Sequence, residues 1–154
     1  MIDRRHARTL AMQALCVFDH LGDEFAGDLD AFLGDENPPA EVRKYARSLV
    51  DDYRIDRSAI DECIQSVVEN WELKRLAPID RNVLRIAVCE LFHRPEVPPK
   101  VAINEAIEIG KTFGTMETGA FINGILDAVM KQRTAGASEA TAEPVAQDSL
   151  NGDA

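Results

Sequence analysis

Two consecutive apolar helices leave this chain little choice of fold class. Between residues 100 and 129, Val101, Ala102, Ala106, Ile109 and Phe113 recur at the spacing of one helix face. Ile103 and Ile107 add a second apolar line, so this helix must be covered on more than one side. Pro99 suits a first helical position, where the missing N–H would have no partner anyway. Gly114 suits the left-handed residue that ends a helix. A second helix then carries Phe121, Ile122, Ile125, Leu126 and Val129, with Phe121 at its start. Inside it stand Asn123 and Gly124, and glycine there costs about 1 kcal/mol relative to alanine. That predicts either the close approach of a neighbouring helix or a polar contact made by Asn123.

The remainder of the chain supplies the helices that cover this pair. Ala7, Leu10, Ala11, Ala14, Leu15, Phe18 and Leu21 form one face of a helix over 4–21, with Asp3 as its cap. Arg4, Arg5 and Arg8 lie on its polar side, and cations there oppose the helix dipole. Residues 19–41 hold eight acidic side chains and no Lys or Arg. With Gly22, Gly27, Gly34 and Asn37-Pro38-Pro39 as punctuation, they read as a solvated loop, a short helix over 27–33 and another loop. Further helices are expected over 40–53, over 57–73 with Ile60, Ile64, Val67 and Trp71 inward, and over 79–93. No segment alternates like a strand between hairpin turns. The expected fold is all-α, a compact bundle of about seven helices joined by short loops.

The composition excludes several classes of function. The net charge of -10 argues against non-specific coating of nucleic acid. Part of that charge belongs to residues 134–154, which are rich in Ala, Ser, Thr, Glu and Asp and read as a disordered acidic tail. Without its four carboxylates the net charge is -6. Cys16, Cys63 and Cys89 lie far apart in apolar helical patterns, as small buried hydrophobes in a reducing compartment do. No run is apolar enough to span a bilayer and the N-terminus lacks a signal-peptide core, so a cytoplasmic protein is expected.

Residues with catalytic potential do not gather. His6, His20 and His93 are scattered without metal-ligand spacing, and no glycine-rich phosphate loop or nucleophile elbow occurs. Glu105 and Glu108 share a helix face and are read as surface groups or partners of Lys or Arg. No metal, cofactor or enzymatic activity is expected. The binding signal is better: Arg4, Arg5 and Arg8 form a compact cationic turn in an acidic chain, and arginine makes forked contacts to phosphate.

Three blocks in this order and spacing resemble the NusB family of bacterial transcription antitermination factors. They are Arg4-Arg5-His6-Ala7-Arg8 with Ala11-Met12-Gln13-Ala14-Leu15; Asp80-Arg81-Asn82-Val83-Leu84-Arg85-Ile86-Ala87 with Glu90-Leu91; and Val101-Ala102-Ile103-Asn104-Glu105-Ala106-Ile107-Glu108 through Phe121-Ile122-Asn123-Gly124-Ile125-Leu126-Asp127. The resemblance covers nearly everything except the tail. It implies a NusB-like domain over 1–133 built of two helical subdomains, about 1–54 and 55–133. It implies binding of boxA RNA, a single-stranded element of ribosomal RNA operons, together with the small-subunit ribosomal protein NusE, within the RNA polymerase antitermination complex. Carried over by position, Arg4, Arg5 and Arg8 supply phosphate contacts, Glu117 and Phe121 lie at the RNA, and Asp80 lies on the NusE side. A single RNA face then requires the Arg4–Arg8 turn and the hinge before Phe121 to be adjacent. Monomers and homodimers both occur in the family. Cys16 and Cys89 stand where tyrosine is common, and His6 where Arg or Lys is frequent. The rival readings are a helical protein-binding scaffold and an accessory of an rRNA-modifying enzyme; the chain is too short to hold a methyltransferase domain itself.

Overall fold

The computed structural model describes residues 3–68 and 72–142, with side chains through residue 135. Among these residues the backbone forms seven α-helices and no strand. They are α1 (Arg4–Leu21), α2 (Leu29–Leu33), α3 (Ala40–Ile55), α4 (Arg57–Val67), α5 (Pro78–His93), α6 (Pro99–Phe113) and α7 (Met116–Ala142), with 3-10 turns at Gly22–Asp28 and Leu73–Arg75. The all-α expectation and the seven helices therefore hold.

Local chemistry sets most boundaries. The Asp3 carboxylate accepts from the His6 N–H at 3.0 Å and starts α1. Gly22 ends it with φ 78°, where a side chain would be strained. Pro78 and Pro99 open α5 and α6 at the positions that need no N–H. Other boundaries differ from the pattern. Helix α4 stops at Val67 instead of reaching residue 73, and the Gln65 amide oxygen accepts from the Leu73 N–H at 2.7 Å to close the next turn. Trp71, assigned to that helix face, lies outside the described residues. Helix α7 starts at Met116, so Phe121 stands in its second turn and not at its start. Thr115 and Thr118 exchange side-chain and backbone hydrogen bonds across this N-terminus, which satisfies amides the helix leaves open. At its other end α7 continues through Ala142, past the composition break at Arg133.

The centre of the molecule is α5. It packs on α1, α3, α4, α6 and α7. Leu84, Val88 and Cys89 are wholly inaccessible, and so are the polar Asn82 and, nearly, Glu90. One continuous core joins Ala11 and Leu15 of α1, Leu49 of α3, Ile60 of α4, Leu84 of α5 and Ile122 and Leu126 of α7. The expected subdomain boundary at residues 54 and 55 falls within the last turn of α3.

Glycine matters between α6 and α7, though not where the sequence pattern placed it. A Cβ on Gly110 would stand 2.5 Å from Ile122 Cδ1, and one on Gly119 would stand 2.7 Å from Lys111 Cγ, so these two glycines let the helices close on each other. Gly114 is not left-handed; its φ is -113°, and it is small because Thr118 and the Gly110 carbonyl crowd the site of a Cβ. Gly124 has open space around it and Asn123 is exposed, so neither of the two explanations offered for that pair applies.

Candidate nucleic-acid interface

The first two turns of α1 present the three arginines, and each one is already engaged. Arg5 reaches across to α6, where its Nε and Nη2 donate to Glu105 Oε1 and Oε2, both at 2.8 Å. Its side chain remains 54% exposed. Arg4 is half-buried and its guanidinium lies 4.8 Å above the Tyr45 ring of α3. Arg8 corrects the expectation that all three lie on the polar side. It is only 4% exposed. Its Nε donates to Glu90 Oε1 at 2.8 Å, and its Nη1 stands 3.7 Å from Glu105 Oε1. A helix that packs on α5 and α6 at once turns position 8 inward, and the buried Glu90 provides the charge that Arg8 needs there.

These residues form one connected network. Tyr45 donates its hydroxyl to Glu90 Oε2 at 2.5 Å, so Glu90 is held from two sides. Three arginines face two carboxylates, leaving one net positive charge where the sequence suggested three. The hydrogen bond from Arg5 and its charge hold Glu105 below the usual carboxylate range, and the same contact raises Arg5. Burial and the hydrogen bond to Glu90 push the Tyr45 phenol up to about 12. Only the Arg5 end, with exposed His6 and half-buried Arg4 beside it, is open to an incoming anion.

The other candidate residues gather at the far end of α6. Glu117 is exposed in the first turn of α7, where a carboxylate suits the helix dipole. Phe121 is half-buried and packs against the core. Asp80, in the first turn of α5, is pushed above the usual carboxylate range by burial, and the nearby Thr118 hydroxyl works against that shift. The structure therefore brings Asp80 to the hinge that carries Glu117. Among the described residues no hydrogen bond, ion pair or ring contact joins that hinge to the Arg4–Arg8 turn. An RNA face that holds both places must therefore run along α6 and cannot be a single contact patch. Helix α6 links the two places: Glu105 touches Arg5, and Gly110 and Lys111 touch α7. From Glu105 to Gly114 is roughly 13 Å of helix axis.

Residue pattern alone missed Glu90 and Tyr45 as members of this site. A lone glutamate after the apolar run Ile86-Ala87-Val88-Cys89 was the available signal. Glu105 and Glu108 behave as read, pairing with Arg5 and with Lys111 at 3.2 Å. The acidic segment is largely solvated, as expected: Asp23 and Asp30 stay exposed while pairing with Arg54 and Arg47 of α3, whereas Asp19, at the end of α1, is drawn in by Arg81 and Arg85 of α5. Of the cysteines, Cys89 is buried and its thiol is pushed up to about 12, chiefly by burial, while Cys16 and Cys63 are half-buried. Among the described residues no group of three His, Cys, Asp or Glu side chains is placed to hold a metal, and no helix is long and apolar enough to cross a membrane.

Comparison with known proteins agrees with this architecture. The family model described as "NusB family" matches residues 5–131. The transcription antitermination protein NusB of Anaeromyxobacter dehalogenans is 46% identical over 127 residues, which is 82% of this chain and 89% of that protein. A solved structure of NusB from T. maritima is 37% identical, with a TM-score of 0.71 over 84% of this chain and 92% of that one. A structure of the antitermination factors NusB and NusE in complex with dsRNA matches with a TM-score of 0.76 and 26% identity, over 84% of this chain and 96% of that one.

Proposed function

The chain belongs to the NusB family, and on that membership we propose that it is a transcription antitermination factor that binds boxA RNA of ribosomal RNA operons together with NusE. It is a binding protein and not an enzyme. In that role it helps RNA polymerase pass termination signals in those operons. One observation carries the reading: an exposed arginine fork, Arg5, stands beside Arg4 and His6 on a rigid helical turn of an otherwise acidic chain.

In the proposed mechanism Arg4 and Arg5 contact phosphates, and their contribution falls with salt. Arg8 acts from beneath, fixing α1 to Glu90 so that Arg5 is presented in one place. Glu117 and Phe121 meet the RNA farther along α6, where a half-buried aromatic offers a stacking platform for an unstacked base. Asp80 belongs to the NusE side, at the same end of the bundle.

The test is a titration of the purified protein with boxA and scrambled RNA, with and without NusE, across a range of salt. We expect preference for boxA, strengthened by NusE, and Arg5→Ala should weaken binding and flatten the salt slope by about 0.7, the share of one phosphate on a single strand. Asp80→Ala should diminish the gain from NusE alone. Equal binding of boxA and scrambled RNA in both conditions would leave the protein-binding scaffold as the better reading.

A further inference from the structure

We propose that Glu105 is an anion gate on the RNA-binding turn: its carboxylate fills the Arg5 fork until a phosphate of correctly docked RNA displaces it, and it then passes to Arg8. The inference rests on the reading of Arg5 as a phosphate contact.

The geometry of the pair motivates it. A carboxylate bound to Nε and Nη2 of arginine at 2.8 Å each takes the same two parallel donors that a phosphate takes. Arg5 cannot serve both anions through that edge. The pair also sits where exchange is feasible, because Arg5 is half-exposed while Glu105 is only 21% exposed. A phosphate can reach Arg5 from solvent, but the displaced carboxylate needs a new cation nearby. Arg8 provides it. Its Nη1 is 3.7 Å from Glu105 Oε1, and its Nε is anchored on Glu90, which Tyr45 anchors in turn. A short swing of the Glu105 side chain completes a direct Arg8 pair without exposing or orphaning a charge. Arg8 is thus a fixed receiver and Arg5 a releasable holder.

The consequence concerns selectivity. RNA held only by scattered phosphate contacts exchanges one anion for another at Arg5 and gains little, so it leaves the gate closed. RNA whose bases also engage the hinge brings a phosphate to Arg5 in a defined position and opens it. The gate therefore suppresses use of Arg5 by the wrong RNA and leaves the contact intact for the right one.

The experiment compares wild type, Glu105→Gln and Glu108→Gln with boxA and scrambled RNA. Glu108 lies one turn along the same helix and pairs with Lys111, so its variant removes the same charge without touching Arg5. If the gate exists, Glu105→Gln binds scrambled RNA several-fold more tightly than Glu108→Gln does. Its salt slope for scrambled RNA steepens by about 0.7, one additional phosphate, while the slope for boxA stays put. Weaker binding of both RNAs by Glu105→Gln would show that Glu105 merely holds Arg5 in place and would overturn the gate; so would equal behaviour of the two variants. Should Glu105→Gln unfold, the Nε–H NMR signals of wild-type protein decide. Saturating boxA RNA should move the Arg5 signal and leave Arg8 on Glu90, and an unmoved Arg5 signal overturns the proposal. If Arg5→Ala leaves boxA binding untouched, the phosphate role of Arg5 has failed; if it weakens binding while Glu105→Gln matches Glu108→Gln, only the gate has failed.

Discussion

Helix α1 meets the rest of the protein through arginine–carboxylate networks at both of its ends, and the two differ in what they leave open. At the C-terminal end Asp19 receives Arg81 and Arg85 at 2.9 Å, and Arg85 also grips Asp61 at 3.0 Å. Asn82 donates to Asp19, Tyr53 donates to Asp61, and Arg81 Nη1 donates to the carbonyls of Lys74 and Leu76. Every charge there is matched, and both arginines are buried. At the N-terminal end Arg8 is matched in the same way, but Arg5 is held by one side chain and faces solvent. The same residue types therefore build a structural clasp at one end and an adjustable surface at the other. Burial and the number of independent partners decide which.

The sharpest way to break this contrast is Arg85→Ala, which leaves Asp61 with the Tyr53 hydroxyl and no cation, and leaves Asp19 to Arg81 and Asn82. We expect a loss of about 3–5 kcal/mol in urea unfolding, against less than about 1 kcal/mol for the exposed Arg5→Ala. Comparable losses from the two variants would erase the distinction between clasp and surface.

A smaller effect sharpens it through pH. Burial alone would raise Asp19, but the hydrogen bond from Asn82 and the charge of Arg85 outweigh it and hold the carboxyl below its usual range. The folded-state value lies below the unfolded one. Its stabilisation is therefore complete above the ordinary carboxylate range, near pH 4, and is lost as pH falls through the lowered value. Asp19→Asn should cost about 2 kcal/mol at neutral pH and make stability less steep in acid. An acid unfolding curve parallel to wild type would remove Asp19 from the clasp's energetics. The smallest effect is the stability change of Arg5→Ala itself, which should vanish at high salt while the RNA-binding defect at low salt remains.

Much of this was legible in the residues because it depends on local periodicity. The apolar faces of α1, α3, α5 and α6 announce themselves at helical spacing, and Asp3, Pro78 and Pro99 mark starts by a chemistry that needs no distant partner. The break after Val67 was not legible, since Leu73 continues an apolar pattern and the Leu73 N–H finds its acceptor in a side chain, Gln65, eight residues back. Gly110 and Gly119 drew no attention in the pattern, whereas Gly124 did; which glycine a neighbouring helix approaches depends on the rotation of α7 about its axis.

The sequence by itself determined an all-helical bundle, the identity of the cationic turn and the family to which both belong. Helical periodicity is a property of a segment, and charge is a property of a composition. Only the tertiary structure decided that α5, and not the α6–α7 pair, is the element every larger helix leans on. It also decided that Arg8 is a buried strut, that Arg5 is already occupied by Glu105, and that the hinge lies farther along α6 than the Glu105 that meets the arginine turn. These facts depend on which side chains from distant segments meet, and a carboxylate a hundred residues away in the chain changes what an arginine can bind.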